Sequence, residues 1–407
     1  MCKSAKMHVD ELKLVEIDMK TYTALWSRMS RYVFRKSGFA FRGRAITLAL
    51  VVLWLIPFSG VTLAQGSKFV LGADISALDA PSFGPKITYM YDGKPSSELA
   101  ILAKNGWNAF RLRVFVSPVR EAPDNTVGAA IPLAKKIKEL GAVFLLDMHF
   151  SDTWADPQHQ EIPIAWRGLN YDSLKIEWET YAYDTIKRLK DAGAMPDWVQ
   201  IGNEITRGVA WPIAQLKEPG STIFNPPKPY DAAKQWRRLA GLLKAGIRGV
   251  MKAAGKTPPL IAIHIDQGGN WKITKWFFDH LNEEGVHYDI IAESFYPPWR
   301  HGTLAQLREN MDSCAAIFHK PFLVAETGYG PSHFKNNPDM LWPVTPEGRL
   351  QFLVALVRTV REAPNGLGVM YWAPEYDLWN VYATPAPALF TPDSLKATAN
   401  DREGYVK

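Results

Sequence analysis

The chain has 407 residues, 47% of them apolar, 12% aromatic and 22% charged, a balance that supports a large buried core and excludes a disordered, collagen-like, coiled-coil or disulfide-dense chain. Its formal charge of +6 lies entirely in residues 1–64, where ten Lys or Arg meet four Asp or Glu. The remainder is balanced, so the body of the protein has no positive excess for phosphates and no nucleic-acid partner is expected.

The front end reads as an export device. Arg31, Arg35, Lys36, Arg42 and Arg44 stand between Met29 and Arg44 with no acidic residue among them. Ala45–Leu55 is an apolar run of signal-peptide length, broken by Pro57, Ser59 and Gly60, and Thr62-Leu63-Ala64 places small residues at −3 and −1 of a cut before Gln65. Residues 1–28 are expected to be an N-terminal extension, 29–64 a signal peptide and 65–407 the catalytic domain, secreted or periplasmic and monomeric. The rival reading is a signal anchor: no charge lies between Arg44 and Lys68, a gap close to the roughly 20 residues that span a bilayer. Only in that case is a membrane contact expected. Cys2 precedes the cut, which leaves Cys314 without an intramolecular partner and best read as a small buried hydrophobe.

After Ala64, short apolar runs alternate with helical patterns. The predicted strands are Phe69–Ile75, Ala109–Val114, Val143–Met148, Trp198–Ile201, Leu260–His264, Ile290–Ser294, Phe322–Ala325 and Gly368–Trp372. Between them the predicted helices cover 97–105, 127–140, 173–191, 231–254, 272–283, 303–318 and 346–362. Asp172-Ser173 reads as an N-cap, Thr345-Pro346 as a cap followed by an N1 proline, and Gly106 and Gly141 as residues just past helix ends. Ile131, Ala134, Ile137 and Leu140 make an apolar stripe at helical spacing. Strands such as AVFLLD and PFLVAE are apolar almost throughout, as parallel strands buried on both faces are. Eight such units without a Gly-rich phosphate turn after the first strand point to a (β/α)8 TIM barrel rather than a doubly wound sheet. The segment after Trp379 is irregular, so the eighth helix is expected to be short or absent.

In such a barrel chemistry sits at the carboxyl ends of the strands. Reading each strand to its end collects Asp74, Arg111 and Arg113, Asp147 and His149, Asn203 and Glu204, His264 and Asp266, Glu293 and Tyr296, Glu326, and Trp372. Burying so many polar groups in eight unrelated places would be costly, which favours one shared site. Glu204 ends the fourth strand and Glu326 the seventh, and these strands face each other across an eight-stranded barrel. Two glutamates held roughly 5–5.5 Å apart are what retaining glycoside hydrolysis requires, one protonated as acid and one ionised as nucleophile. The plainer alternative is a structural ion pair at each. Trp154, Trp166, Trp211, Trp271, Trp299 and Trp372 follow or end strands, where indole faces can stack on sugar rings or simply pack loops.

Competing chemistries lack their parts. His149, His159, His264, His280 and His301 are scattered, with no H-E-x-x-H, and no G-x-S-x-G elbow or P-loop is present.

The strings LGADIS, RLRVF, LLDMHFSDTWADPQHQ, PDWVQIGNEITRGVAWP, ESFYPPWRHGTL, VAETGYG and MYWAP occur in this order. Together they resemble the arabinogalactan endo-β-1,4-galactanases of glycoside hydrolase family 53 over residues 69–390. LGADIS and the HxSDxWADP stretch carry the resemblance, since NE and ETG are shared across the wider clan of retaining barrels. The resemblance implies Glu204 as general acid/base, Glu326 as nucleophile, and Asn203 as a hydrogen-bond partner of the sugar 2-hydroxyl next to the cut. It implies that Arg111 and Tyr296 orient Glu326, with Arg113 able to share that work from the same strand face. His149 and His264 would line the site, and Trp372 would form the floor under the sugar. Asp74, Asp147, Asp152, Trp154 and Trp166 fit binding or scaffolding. The partner implied is β-1,4-galactan. The alternatives are another β-1,4-glycan such as mannan or xylan, or a glycan-binding barrel without turnover.

The family pattern is departed from at two aromatic positions. Members read RLRVW and DxHYSD where this chain has Phe115 and Phe150, losing an indole N–H and a hydroxyl. No metal or cofactor is required by this reading. Some bacterial members hold a structural calcium in their late loops, and no oxygen-ligand spacing for one stands out here.

Overall fold

Eight parallel strands close into a barrel in the computed structural model, which describes residues 69–78, 89–91, 94–118, 122–222, 226, 228–297, 302–329, 341–343 and 345–374. In chain order they are β1 (Val70–Asp74), β2 (Ala109–Val114), β3 (Val143–Met148), β4 (Trp198–Ile201), β5 (Leu260–Ile265), β6 (Ile290–Phe295), β7 (Phe322–Thr327) and β8 (Gly366–Trp372). Each pairs with its sequence neighbours, and β8 pairs back onto β1 to close the ring. The helices are α1 (Glu98–Lys104), α2 (Val127–Glu139), α3 (Tyr171–Asp191), α4 (Ala232–Ala254), α5 (Trp271–Glu283), α6 (Leu304–Ile317) and α7 (Pro346–Arg361). Every expected strand and helix is present. The expected export signal, the segment after Trp379, Trp299 and His301 lie outside the described residues. Among the described residues no helix is long and apolar enough to cross a membrane.

Period-two alternation sorts the strand residues into two apolar layers. Val70, Ala109, Leu145, Trp198, Ala262, Ile290, Ala292, Leu323, Ala325, Leu367 and Met370 form the barrel interior. Their neighbours on the same strands, among them Phe110, Phe144, Val199, Ile263, Ile291, Val324 and Val369, pack outward against the helices. The helix ends follow from local chemistry. Thr345 caps α7 ahead of Pro346, Thr303 and Gln306 form a reciprocal capping box on α6, and Gly106 and Gly141 take φ of +91° and +67° just beyond α1 and α2. Two details differ from the sequence reading. The cap of α3 is Asn170, whose side chain accepts from the Ser173 N–H, so the helix starts before the expected Asp172-Ser173 cap. On α2 the buried stripe is Val127, Leu133, Ala134 and Ile137, and Leu140 is the C-cap, 46% exposed, because Gly141 turns the chain away there.

Helices α3 and α4 meet at Gly249, where an added methyl would overlap the carbonyl oxygen of Glu179 and crowd Ala182. Glycine is required there by this close approach.

Candidate active site

Simple alternation does not aim the two key glutamates into the barrel mouth; local distortions do. In β7, Leu323 and Ala325 point inward, so Glu326 would point outward in a regular strand. A register shift intervenes: Glu293 of β6 faces Val324, and the next residue, Ser294, faces Glu326. This irregularity skips one residue and turns the Glu326 carboxylate onto the site. After β4, Gly202 takes φ of +81° and Glu204 takes φ of +47°. A left-handed non-glycine residue is strained, and such residues concentrate at functional sites. Together the two turns bring the adjacent Asn203 and Glu204 side chains to the same place. Gln160 braces this turn by donating from Nε2 to the carbonyl oxygen of Asn203 at 2.8 Å.

Arg111 is the hub of the site. Its guanidinium lies 2.9 Å from Asp74, 2.7 Å from Asp147 and 2.8 Å from Glu326, and it donates to Asn203 Oδ1 at 2.8 Å. Burial opposes its charge, but Asp147, Glu326 and Asp74 more than compensate and raise its pKa. Asp74 in turn is kept ionised below the usual carboxylate range: burial acts against this, and Arg113, Arg111 and Ser76 outweigh it. Arg113 does not share the work on Glu326. It bonds Asn125 at 2.8 Å and Asp74 at 3.1 Å, and its guanidinium lies 4.2 Å from the centre of the Trp154 ring.

The two glutamates sit in different surroundings. Glu326 has the Arg111 cation at 2.8 Å and receives the Tyr296 hydroxyl at 3.2 Å. Among the described residues the Glu204 carboxyl has one hydrogen-bond partner, of another kind: the Ser294 hydroxyl, 2.6 Å from Oε1. Burial, Glu326 and Asp266 push the Glu204 carboxyl well above the ordinary range. Burial also raises Glu326, with Arg111 pulling it back. The balance of these causes favours the proton on Glu204 and the charge on Glu326. Burial and the nearby carboxylates Glu326 and Glu204 raise the Tyr296 phenol, which stays a donor.

Behind the glutamates lies a layer of fixed hydrogen bonds. His149 accepts from the Ala155 N–H at Nδ1 (3.0 Å), so its Nε2–H donates to Asp147 at 2.9 Å. The carbonyl oxygen of Ala155 accepts from Asn203 Nδ2 at 2.7 Å, and Asn203 Oδ1 meets His264 Nδ1 at 2.8 Å. Burial, Arg111 and His149 lower the His264 pKa well below that of free imidazole, so it is neutral.

The remaining candidates separate into mouth and scaffold. Trp372 ends β8 opposite Asp74 and meets Trp154 edge-to-face at 6.4 Å. Trp166 is buried against Tyr181, and Asp152 accepts from the backbone N–H groups of Ser117 and Ile164, so both organise the loop after β3. Trp271 opens α5 and packs on Phe318. Trp211 donates from Nε1 to the Arg207 carbonyl oxygen. Glu293 does not join the site. It faces outward, where Oε2 accepts from Thr274 and Asn310 while Oε1 is buried without a partner.

Phe115 fills the space between His149 and Trp154, with ring centroids 4.9 and 5.6 Å away. Phe150 stacks on Trp178 of α3 at 3.9 Å, so its missing hydroxyl belongs to the helix layer and not to the mouth. Ser294, Gln160 and Gln200, whose Nε2 donates to Asp147 at 2.6 Å and to Asn203 Oδ1 at 3.0 Å, were missed by the sequence reading. Period-two alternation from Ala292 would have found Ser294, because it sets Glu293 outward and Ser294 inward. Among the described residues no group of three His, Cys, Asp or Glu could hold a metal ion, and the late loop at 330–340 lies outside them.

The family model for glycosyl hydrolase family 53 matches residues 70–392. An uncharacterised protein of Niallia circulans is 36% identical over 330 residues, 77% of this chain and 86% of that one. An arabinogalactan endo-β-1,4-galactanase of Cellvibrio japonicus is 30% identical over 344 residues, 81% of this chain and 86% of its own. Among solved structures, a fungal β-1,4-galactanase superposes with a TM-score of 0.68 at 28% identity, covering 80% of this chain and 96% of that one. The GH53 catalytic domain of Ignisphaera aggregans gives 0.65 at 30% identity, covering 77% and 86%.

Proposed function

The chain belongs to glycosyl hydrolase family 53 and is a glycoside hydrolase, and from that premise we propose that it is an exported, retaining endo-β-1,4-galactanase. The reading rests on the unequal surroundings of Glu204 and Glu326: one carboxyl is buried beside a hydroxyl, the other is bonded by a guanidinium and a phenol. The curated relatives named as arabinogalactan endo-β-1,4-galactanases support galactan as substrate.

The chemistry runs in two displacements. Glu326 attacks the anomeric carbon while Glu204 gives its proton to the leaving glycosidic oxygen. The resulting glycosyl–Glu326 ester is then opened by water, whose proton returns to Glu204. Arg111 and Tyr296 keep Glu326 ionised and fix its attack geometry. Asn203 has its oxygen taken by Arg111, Gln200 and His264 and one N–H by Ala155, which leaves its second N–H for the sugar 2-hydroxyl. Trp372 and Trp154 supply apolar faces at the mouth for pyranose rings. The export signal over residues 29–64 delivers the enzyme to its polymer. No cofactor takes part.

The test is digestion of linear β-1,4-galactan by the chain starting at Gln65, with mannan, xylan and Glu326→Ala as controls, and proton NMR of the new reducing ends. Short galacto-oligosaccharides released first as the β-anomer are expected. The α-anomer first would overturn the retaining assignment, and cleavage of mannan or xylan alone would overturn the substrate. A folded protein inactive on all three would be a binding barrel.

A further inference from the structure

The hydroxyl of Ser294 touches two groups at once: Glu204 Oε1 at 2.6 Å and His264 Nε2 at 3.0 Å. Which way its hydrogen points is fixed from the far end of the chain of contacts. Asn203 presents its oxygen to His264, since that oxygen also receives the Arg111 guanidinium and its nitrogen donates to the Ala155 carbonyl. His264 Nδ1, 2.8 Å from this oxygen, therefore carries the ring hydrogen, since two lone pairs would repel at that distance; the Glu204 N–H also points at Nδ1, but from 3.4 Å, and makes the weaker claim on it. In the neutral ring Nε2 is then an acceptor. The Ser294 O–H satisfies it, and the Ser294 oxygen is left to accept from Glu204.

Resting on the acid/base assignment of Glu204, we infer that Ser294 is a positioning residue that keeps the proton on Glu204, through a directed chain Glu204 Oε1–H···Oγ–H Ser294···Nε2 His264 Nδ1–H···Oδ1 Asn203. When Glu204 gives its proton to the leaving oxygen, the O–H bond of the acid breaks and that of the new sugar hydroxyl forms. The Ser294 hydroxyl then turns to donate to the carboxylate. This turn leaves His264 Nε2 without a donor, so the ionised state is the less satisfied one until water returns a proton in the second displacement. The direction is opposite to that of a serine that simply donates to a carboxylate, which would favour ionisation. The other charged or titratable groups facing this chain are Glu326, Asp266, Asp156 and Tyr296 around Glu204, and Arg111 and His149 around His264. All of them remain in the variants below.

Ser294→Ala is compared with the parent enzyme on β-1,4-galactan and on 2,4-dinitrophenyl β-galactobioside, whose leaving group needs no proton. The expected result is a loss of roughly tenfold or more in kcat/KM on galactan, within the reach of general acid catalysis, and less than about threefold on the aryl glycoside. The basic limb of the kcat/KM profile should move to lower pH, and Ser294→Thr should restore it. His264→Asn keeps a donor toward Asn203 but has no Nε2, and should move the limb the same way; it serves where Ser294→Ala does not fold. Equal losses on both substrates, or a limb that stays or moves to higher pH, would overturn the inference. Glu204→Ala with azide separates this from the underlying reading. A β-galactobiosyl azide formed there, with Ser294→Ala behaving otherwise than expected, sinks only the role of Ser294. Absence of the azide product sinks the assignment of Glu204 itself.

Discussion

Glu293 offers a test of the electrostatics that does not depend on catalysis. Its side chain is wholly buried between β6 and helices α5 and α6, with Thr274 and Asn310 donating to one oxygen and nothing reaching the other. Burial pushes its pKa well above the ordinary range, so in the folded protein it is a neutral acid. An unfolded glutamate ionises near pH 4.3. Between that pH and the raised folded value, the native state holds one proton that the unfolded chain releases, and stability falls as pH rises. The slope is about 1.4 kcal/mol per pH unit for a single proton. Glu293→Gln replaces the acid by a neutral group of the same shape and deletes this slope. In urea unfolding at pH 4.5, 5.5 and 6.5, the stability of Glu293→Gln relative to the parent should therefore rise by up to about 1.4 kcal/mol per step. Every other titrating group cancels in the difference. A difference that does not change with pH would show that Glu293 is not protonated in the fold, and would refute the reasoning.

Four further outcomes follow from the geometry. Arg111→Lys keeps a charge but loses the planar fork that reaches four groups, and a charge-assisted bond of about 1.5–3 kcal/mol to Glu326 is at stake. A fall in kcat/KM of roughly 10–150-fold is expected, with the acidic limb moved to higher pH. Tyr296→Phe removes the longer of the two donors to Glu326 and should show the same limb shift to a smaller extent. Gly202→Ala forces a side chain into a left-handed turn where its Cβ would lie 2.7 Å from Ile205 Cγ2; about 1–3 kcal/mol of stability should be lost, and kcat should fall because Asn203 and Glu204 are re-aimed. Gly249→Ala, by contrast, overpacks the α3–α4 contact far from the mouth, and should lower the melting temperature through a loss of about 1–3 kcal/mol without moving KM.

How far the sequence could be read depended on how regular the backbone is. All eight strands were legible because buried parallel strands are apolar runs bounded by Gly, Pro and capping residues, and β2, β3 and β4 have the bounds their composition predicts. Site residues carried inward by plain alternation, such as Arg111, Asp147 and His264, were legible for the same reason. Glu293 and Ser294 show where strand-end reading alone fails. The charged residue draws the eye, yet the pleat turns it outward into a neutral, buried position, and the small hydroxyl beside it faces the chemistry. Sharing of work between Arg111 and Arg113 could not be decided from period two, which puts both on one face. Depth along the strand decides it: Arg111 pairs opposite Asp74, while Arg113 lies two residues nearer the rim, beside Asn125 and under Trp154.

Glu326 and Glu204 mark the limit most clearly. Their motifs were recognisable, but no periodicity predicts that a register shift after Val324 and a left-handed turn at Gly202 and Glu204 would aim them. Strain of this kind is tolerated only where surrounding contacts over-determine it. Here Gln160 holds the Asn203–Glu204 backbone, His149 holds the Ala155 loop against Asn203, and Arg111 ties Asn203 to Glu326. The buried polar layer is thus what lets two irregular strand ends keep one geometry. That makes the positions of both glutamates a property of the network rather than of either strand, so removing Arg111 should disturb the aim of Glu204 as well as the charge of Glu326.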